Sequence, residues 1–135
     1  MEERRRGRIG TVNALALLAG GTAVTAAAEG ARSVFATLLL GMLTVGMAHA
    51  LLDEIRRQAR RRSVPGWAVH DTVNTALLAT WVAGALGTAA LPLLPAAVRV
   101  TGLALAAGYA LSCAYFVIER RRTITAMVPA EPVDR

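Results

Sequence analysis

Long apolar runs separated by short polar clusters form the main pattern along this chain. The runs cover residues 9–28, 33–52, 72–91 and 96–118. A bilayer core of about 30 Å takes roughly 20 helical residues at about 1.5 Å each, and every run has about this length. No run shows the strict alternation of apolar and polar residues that a membrane β-barrel requires. The pattern therefore predicts an all-α fold, a bundle of four transmembrane helices.

The composition favours a membrane protein over a soluble helical bundle. Hydrophobic residues make up 55% of the chain and aromatic residues only 4%, and the mean hydropathy is +0.47. The apolar mass comes largely from leucine and from 28 alanines. Small side chains let membrane helices approach closely but fill a water-soluble core poorly.

The positions of the arginines predict an orientation in the membrane. All 15 basic residues are arginine, and 13 of them lie in residues 1–8, 53–71 and 119–135. The predicted outer turns carry only Arg32 and Arg99. Because positive charge beside short loops stays in the cytoplasm, we expect a basic cytoplasmic N-terminus, a basic cytoplasmic loop and a cytoplasmic tail. Arginine without lysine, beside abundant Ala and Gly, is typical of a GC-rich genome. The sequence thus predicts a multi-pass protein of a bacterial plasma (inner) membrane, with both termini in the cytoplasm.

The stretch "DEIRRQARRR", residues 53–62, admits three interpretations. A nucleic-acid arm would suit the net charge of +6, but the chain has no zinc-ligand spacing, aromatic stacking pattern or helix-turn-helix punctuation, so no nucleic-acid partner is expected. The simplest interpretation is a topology signal. The functional alternative is a surface for anionic lipids or for a partner's acidic face, at about 1 kcal/mol for each arginine. Its candidate residues are Arg56, Arg57, Arg60 and Arg61.

The N-terminal segment also resembles a secretory signal peptide. "MEERRRGRIG" precedes an apolar run that ends at Ala26-Ala27-Ala28, a small-residue cleavage pattern. An uncleaved helix is the favoured interpretation, because the run is longer than a usual signal-peptide core and contains Asn13. Cleavage would leave three spans in the same orientation.

Two pairs of segments suggest an internal repeat. "TVNALALLA" (11–19) matches "TVNTALLAT" (72–80), and "LLDEIRR" (51–57) matches "FVIERRR" (116–122). The chain would then consist of two duplicated helical hairpins that point the same way, a parallel relation. Only the shared Thr-Val-Asn carries weight, because matches of Ala and Leu are frequent in such a sequence.

Polar residues gather at the predicted cytoplasmic ends of all four helices, within a layer of roughly 8 Å. His49 and Asp53 share a helix face at i,i+4, and His70 with Asp71 begins the third helix. If the four side chains meet across the loop, they would hold a divalent metal or perform acid–base chemistry on a lipid headgroup. The candidate catalytic residues are His49, Asp53, His70, Asp71 and Glu119, and the candidate binding residues are Asn13, Asn74 and Tyr115.

A structural interpretation of the same layer is favoured. Polar residues are tolerated at this depth without any function, Asp71 in "DTVN" is a good N-cap for the third helix, and Asn13 and Asn74 suit hydrogen bonds between helices. From the sequence, no metal ligands are assigned and no cofactor is predicted. The predicted midplane holds no carboxylate and no histidine, which weighs against a proton-coupled pump.

Function is left open between three classes of membrane protein. The chain contains no Walker loop, GxSxG, HExxH, CxxC or Rossmann fingerprint. Small-xxx-small pairs at Ala83–Gly87 and Ala104–Gly108 allow close helix crossing within the bundle or between protomers. The leading hypothesis is an oligomeric transport or channel-type subunit, or an accessory subunit, in a homo-oligomer or beside a larger membrane partner. The alternatives are a membrane enzyme acting on an isoprenoid or lipid-like substrate through the polar layer, and a holin-like pore or structural protein.

Overall fold

The computed structural model describes the backbone of residues 2–30 and 32–128, and the side chains from Gly10 onward within those ranges. The described chain is all-α, as predicted. Each helix contains a stretch long and apolar enough to cross a membrane. The helices are α1 (Glu2–Glu29), α2 (Val34–Ala59), α3 (Val69–Ala90) and α4 (Ala96–Met127).

The helices begin and end at different residues from the predicted apolar runs. α2 continues through the first arginines to Ala59 and α4 continues to Met127, so residues 119–127 of the predicted tail are helical. Ser33 begins α2 as its N-cap, and its Oγ accepts a hydrogen bond of 3.2 Å from the amide of Ala36. The rest of the predicted tail, residues 129–135, lies outside the described residues.

The four helices form two antiparallel hairpins, α1 with α2 and α3 with α4. Between the hairpins, α1 packs on α3 and α4, and α2 packs on α4, while the described backbones of α2 and α3 do not approach within 8 Å. α1 and α4 therefore lie across the middle of the bundle, with α2 and α3 at opposite corners. We call the end that carries the 60–68 loop and the C-terminal part of α4 the basic end. The end formed by the 30–33 and 91–95 turns is the opposite end.

Packing is unequal among the helices. Only 6% of the apolar window of α2 is buried, against 28% for α4. Large side chains of α2, among them Phe35, Leu38, Met42 and Val45, are exposed over more than half of their surface. Such a continuous apolar face would be costly in water, but it suits contact with lipid hydrocarbon.

Two glycines permit the close approach of α4 to its neighbours. A Cβ added at Gly20 would lie 2.7 Å from Tyr109 Oη, and one added at Gly102 would lie 2.9 Å from the carbonyl oxygen of Ala85. Both distances are too short for any real side chain. Glycine at these positions therefore sets how closely α4 lies against α1 and α3.

Candidate functional site

The centre of the basic end is Arg120 of α4, whose side chain is 0% exposed. Its Nε donates a hydrogen bond of 3.0 Å to Asp71 Oδ2, and Asp71 is 1% exposed. An arginine is almost never fully buried unless it is paired. This ion pair therefore joins the C-terminal part of α4 to the start of α3.

The other donors of Arg120 hold the loop between the hairpins. Nη1 donates to the carbonyl oxygen of Arg61, and Nη2 donates to those of Val64, at 3.2 Å, and Gly66, at 3.0 Å. These bonds are partly buried, and carbonyl groups withdrawn from water need such partners because their desolvation is costly. The 60–68 loop is consequently fixed against the bundle by its backbone, while the side chains of Arg60 and Arg62 remain exposed.

Asp71 has several partners besides Arg120. Its Oδ2 also accepts a hydrogen bond of 3.0 Å from the amide of Ala68, and its Oδ1 lies 3.6 Å from His70 Nε2. The predicted N-cap role of Asp71 is wrong: the N-cap is Ala68, and Asp71 occupies the N3 position. The reason is that a carboxylate at N3 can reach back to the N-cap amide, which lets the helix begin three residues earlier than predicted.

A second polar chain connects α2 with α3. Gln58 Nε2 donates a hydrogen bond of 2.8 Å to Glu54 Oε1, and Asn74 Nδ2 donates to Gln58 Oε1. Glu54 Oε2 pairs with Arg57 Nη1 at 2.9 Å. Asn74 Oδ1 is buried and has no hydrogen-bond partner among the described residues. Asn74, a predicted binding residue, thus joins two helices with its amide nitrogen.

Arg60, Glu119 and Tyr115 form a third group, which connects α2 with α4. Arg60 Nε donates a hydrogen bond of 3.0 Å to Glu119 Oε1. The pKa of Arg60 is raised above its ordinary value, first by its electrostatic interaction with Tyr115 and then by its hydrogen bond to Glu119. Like any arginine in a protein, Arg60 stays charged throughout the physiological pH range.

His49 and Asp53 form a separate pair on the surface of α2. Their Nε2 and Oδ2 atoms are 3.4 Å apart, and the side chains are 74% and 48% exposed. The contact confirms the predicted i,i+4 geometry, but among the described side chains the only further ion-pair partner of Asp53 is Arg56, at 3.5 Å. Across the described part of the chain, no group of three or more His, Cys, Asp and Glu residues is placed to hold a metal ion. The catalytic role of the five candidate residues remains a prediction.

Asn13 lies further into the bundle, where α1 meets α3. Its Oδ1 accepts a hydrogen bond of 2.9 Å from Trp81 Nε1. The Trp81 ring lies 6.2 Å from the ring of Tyr109, whose hydroxyl donates a hydrogen bond of 2.6 Å to the carbonyl oxygen of Ala16. Asn13, a predicted binding residue, thus takes part in helix packing.

The four arginines predicted to contact anionic lipid are already engaged with other side chains. Arg56 pairs with Asp53, Arg57 with Glu54 and Arg60 with Glu119, while Arg61 Nη1 lies 3.2 Å from His70 Nε2. Their role in lipid binding stays a prediction.

Sequence reasoning missed Arg120, whose guanidinium donates four of the hydrogen bonds described at the basic end. One signal was available. Ser112 and Phe116 lie eight and four residues before Arg120 and are buried together with it. Residues at this spacing share one face of a helix, so Arg120 continues the inward face of α4. Arg121 and Arg122 lie off this face. The cluster of three adjacent arginines concealed this periodicity.

No family model matches the chain, and no similar curated protein or solved structure is found. The function is therefore argued from geometry and charge.

Proposed function

We propose that this chain is an accessory or transport-type subunit that assembles, through the exposed face of α3, with copies of itself or with a larger membrane partner. The four apolar helices are those of a small multi-pass membrane protein. The proposal includes a bacterial inner membrane and cytoplasmic termini, which the distribution of the arginines supports. The orientation can be tested by fusing, after Arg135, a reporter enzyme that is active only outside the cytoplasm. Activity of this fusion would overturn the proposed orientation.

The observation that carries the proposal is the contrast between α2 and α3. The exposed face of α2 is built of large side chains such as Phe35 and Met42. The exposed face of α3 is built mainly of small residues, and we call it the small-residue face: Ala79, Thr80, Ala83, Gly84 and Gly87.

Among the described residues, no neighbouring atom occupies the space beside the glycines of the small-residue face. A Cβ added at Gly84 or Gly87 would meet no atom within 4 Å. Glycine costs about 1 kcal/mol relative to alanine within a helix in water, so a compensating use is expected. In membranes, small residues on an outer face let a second helix approach closely. The small-residue face is therefore suited to another helix, and the large-residue face of α2 to lipid.

The test is a concentration series of the purified full chain in detergent, analysed for oligomeric state. Wild type should form a defined oligomer, and Gly84→Leu and Gly87→Leu should each weaken its association about tenfold or more, because a leucine separates the helices. Gly46→Leu is the matched control, since Gly46 lies exposed on α2 with nothing within 4 Å of an added Cβ. The proposal is contradicted if the purified wild-type protein stays monomeric and if, in its native membrane, it associates with no other membrane protein.

The enzyme hypothesis has no comparable observation in its favour. Asp71, the most buried carboxylate of the predicted site, is held by Arg120 and by the amide of Ala68, and His49 with Asp53 lies apart on the surface of α2. The pore hypothesis predicts that induced expression collapses the membrane potential, a result that would replace the subunit proposal.

A further inference from the structure

An apolar groove runs along the bundle between α2 and α4, with α1 as its floor. Its cavity volume is about 420 Å³. The lining residues include Thr44 and Ala48 of α2, Gly108 and Leu111 of α4, and Ala19 of α1. From Thr44 to Arg56 the groove extends about 18 Å, which is close to the roughly 15 Å of hydrocarbon in one bilayer leaflet.

Small side chains keep this groove open. A Cβ added at Gly108 would meet no atom within 4 Å, and Ala19, Ala48 and Ala104 also line the space. Since lipid tails fill such spaces in a membrane, the groove has the dimensions and the chemistry for one hydrocarbon chain.

A polar cleft adjoins the basic end of this groove. It has a cavity volume of about 550 Å³ and is lined by three arginines, Arg60, Arg62 and Arg122, and by one carboxylate, Glu119. Glu119 is paired with Arg60. Among the side chains of residues 10–30 and 32–128, no carboxylate pairs with Arg62 or Arg122, so the residues that line the cleft carry an excess of positive charge.

The groove and the cleft meet at Tyr115. Tyr115 lines the groove together with Arg56, while Arg60 and Glu119, joined by a hydrogen bond of 3.0 Å, line the cleft. On α2, Arg60 follows Arg56 by one helical turn, and on α4, Glu119 follows Tyr115 by one turn. A single amphipathic surface therefore leads from hydrocarbon depth to a cluster of guanidinium groups.

We propose that this surface binds one lipid that has an anionic phosphate headgroup. The acyl chain lies in the groove, and the phosphate lies between Arg62 and Arg122, with Arg60 beside it. Guanidinium groups suit this ligand because their paired N–H donors match two phosphate oxygens. Arg62 and Arg122 are distinct from the four arginines that the sequence indicated. The inference is independent of the proposed subunit function, since the small-residue face of α3 forms no part of either cavity.

The experiment measures binding of phosphatidylglycerol to the delipidated full chain in nonionic detergent, by native mass spectrometry. One lipid should bind tightly to each protomer. The double variant Arg62→Gln/Arg122→Gln should weaken binding about 25-fold, or roughly fivefold for each arginine. Gly108→Leu should weaken it as well, because the leucine side chain fills the groove. The matched controls are Arg99→Gln at the opposite end and Gly46→Leu outside the groove, and both should bind as wild type does.

Two results would overturn the proposal. Equal lipid binding by all five proteins would show only non-specific contact with the apolar surface. Displacement of the lipid by inorganic phosphate alone, with Gly108→Leu binding normally, would show a site for a free anion rather than for a lipid. A monomeric protein that still binds one lipid would contradict only the oligomer proposal, so the two failures are distinguishable.

Discussion

The two ends of this bundle are held by different forces. At the basic end, buried polar side chains join α2, the 60–68 loop, α3 and α4: Gln58, Asp71, Asn74 and Arg120. At the opposite end the only ion pair among the described residues is Glu29 with Arg32, at 3.7 Å on exposed side chains three positions apart. Helices in lipid gain no hydrophobic driving force from packing together, so polar contacts and close backbone approach determine their arrangement. In this protein the buried polar contacts lie at the basic end, and close backbone approach holds the helices at the opposite end.

The location of the polar network follows from the depth of the membrane. A charged side chain costs least where a helix leaves the hydrocarbon, and most at the midplane. Asp71 lies in the first turn of α3, and Arg120 lies seven residues before the end of α4. The basic end can therefore bury an ion pair at a depth that the middle of the bundle would not tolerate.

The largest effect on stability is expected from Arg120→Met, which removes the ion pair and the loop contacts of the basic end. The variant leaves Asp71 buried without its cation and three loop carbonyls without their donor. The free energy of unfolding, measured in mixed detergent micelles, should fall by about 3–5 kcal/mol. Adding Asp71→Asn should recover part of the loss, because the unpaired buried charge disappears.

Arg121→Met is the control for this prediction. Arg121 is the exposed neighbour of Arg120, and its replacement should change stability by less than about 0.5 kcal/mol. Similar losses for both variants would mean that burial of Arg120 is not what stabilises this end.

A smaller effect is expected at the opposite end from Gly102→Ala. The added methyl group would lie 2.9 Å from the carbonyl oxygen of Ala85 and 3.0 Å from the amide nitrogen of Ala89, so α3 and α4 must separate. The same unfolding assay should show a loss of about 1–3 kcal/mol. Gly46→Ala on α2 has nothing within 4 Å of the new methyl group and should be neutral or slightly stabilising. The reverse ranking of these two glycines would show that close approach does not determine the packing of this hairpin.

The smallest effect is expected from the pair on the surface of α2. His49→Ala and Asp53→Asn should each change the free energy of unfolding by less than about 0.5 kcal/mol, because exposed ion pairs contribute little. These residues lie towards the basic end without being buried, so they separate the effect of burial from that of position along the bundle. A loss above about 1 kcal/mol would mean that the pair has a partner beyond Arg56.

Much of the fold could be predicted from the sequence, but only part of the candidate site. Four apolar runs of membrane length indicated four helices, and the i,i+4 spacing of His49 and Asp53 gave their contact, because both follow from the geometry of a single helix. Contacts between helices depend on rotation about each axis and on the path of the loop. The sequence alone therefore missed the partners of Asp71 and Asn74, and it grouped Arg120 with two exposed arginines.

The duplication remains a prediction, and the paired residues show how far any repeat has diverged. Asn13 accepts a hydrogen bond from Trp81, whereas Asn74 donates one to Gln58. Glu54 binds the amide of Gln58 on its own helix, whereas Glu119 binds Arg60 of another helix. Matching sequence positions in the two hairpins therefore serve different contacts.

The hydrogen bonds from Arg120 to the 60–68 loop have a consequence for biogenesis. The carbonyl groups of Arg61, Val64 and Gly66 are synthesised more than 50 residues before the guanidinium that binds them. During insertion these groups must rely on water until the fourth helix enters the bilayer. We therefore expect the connection between the hairpins to become ordered only after Arg120 has been synthesised, and a chain truncated in α4 before Arg120 should be cleaved by proteases within this loop.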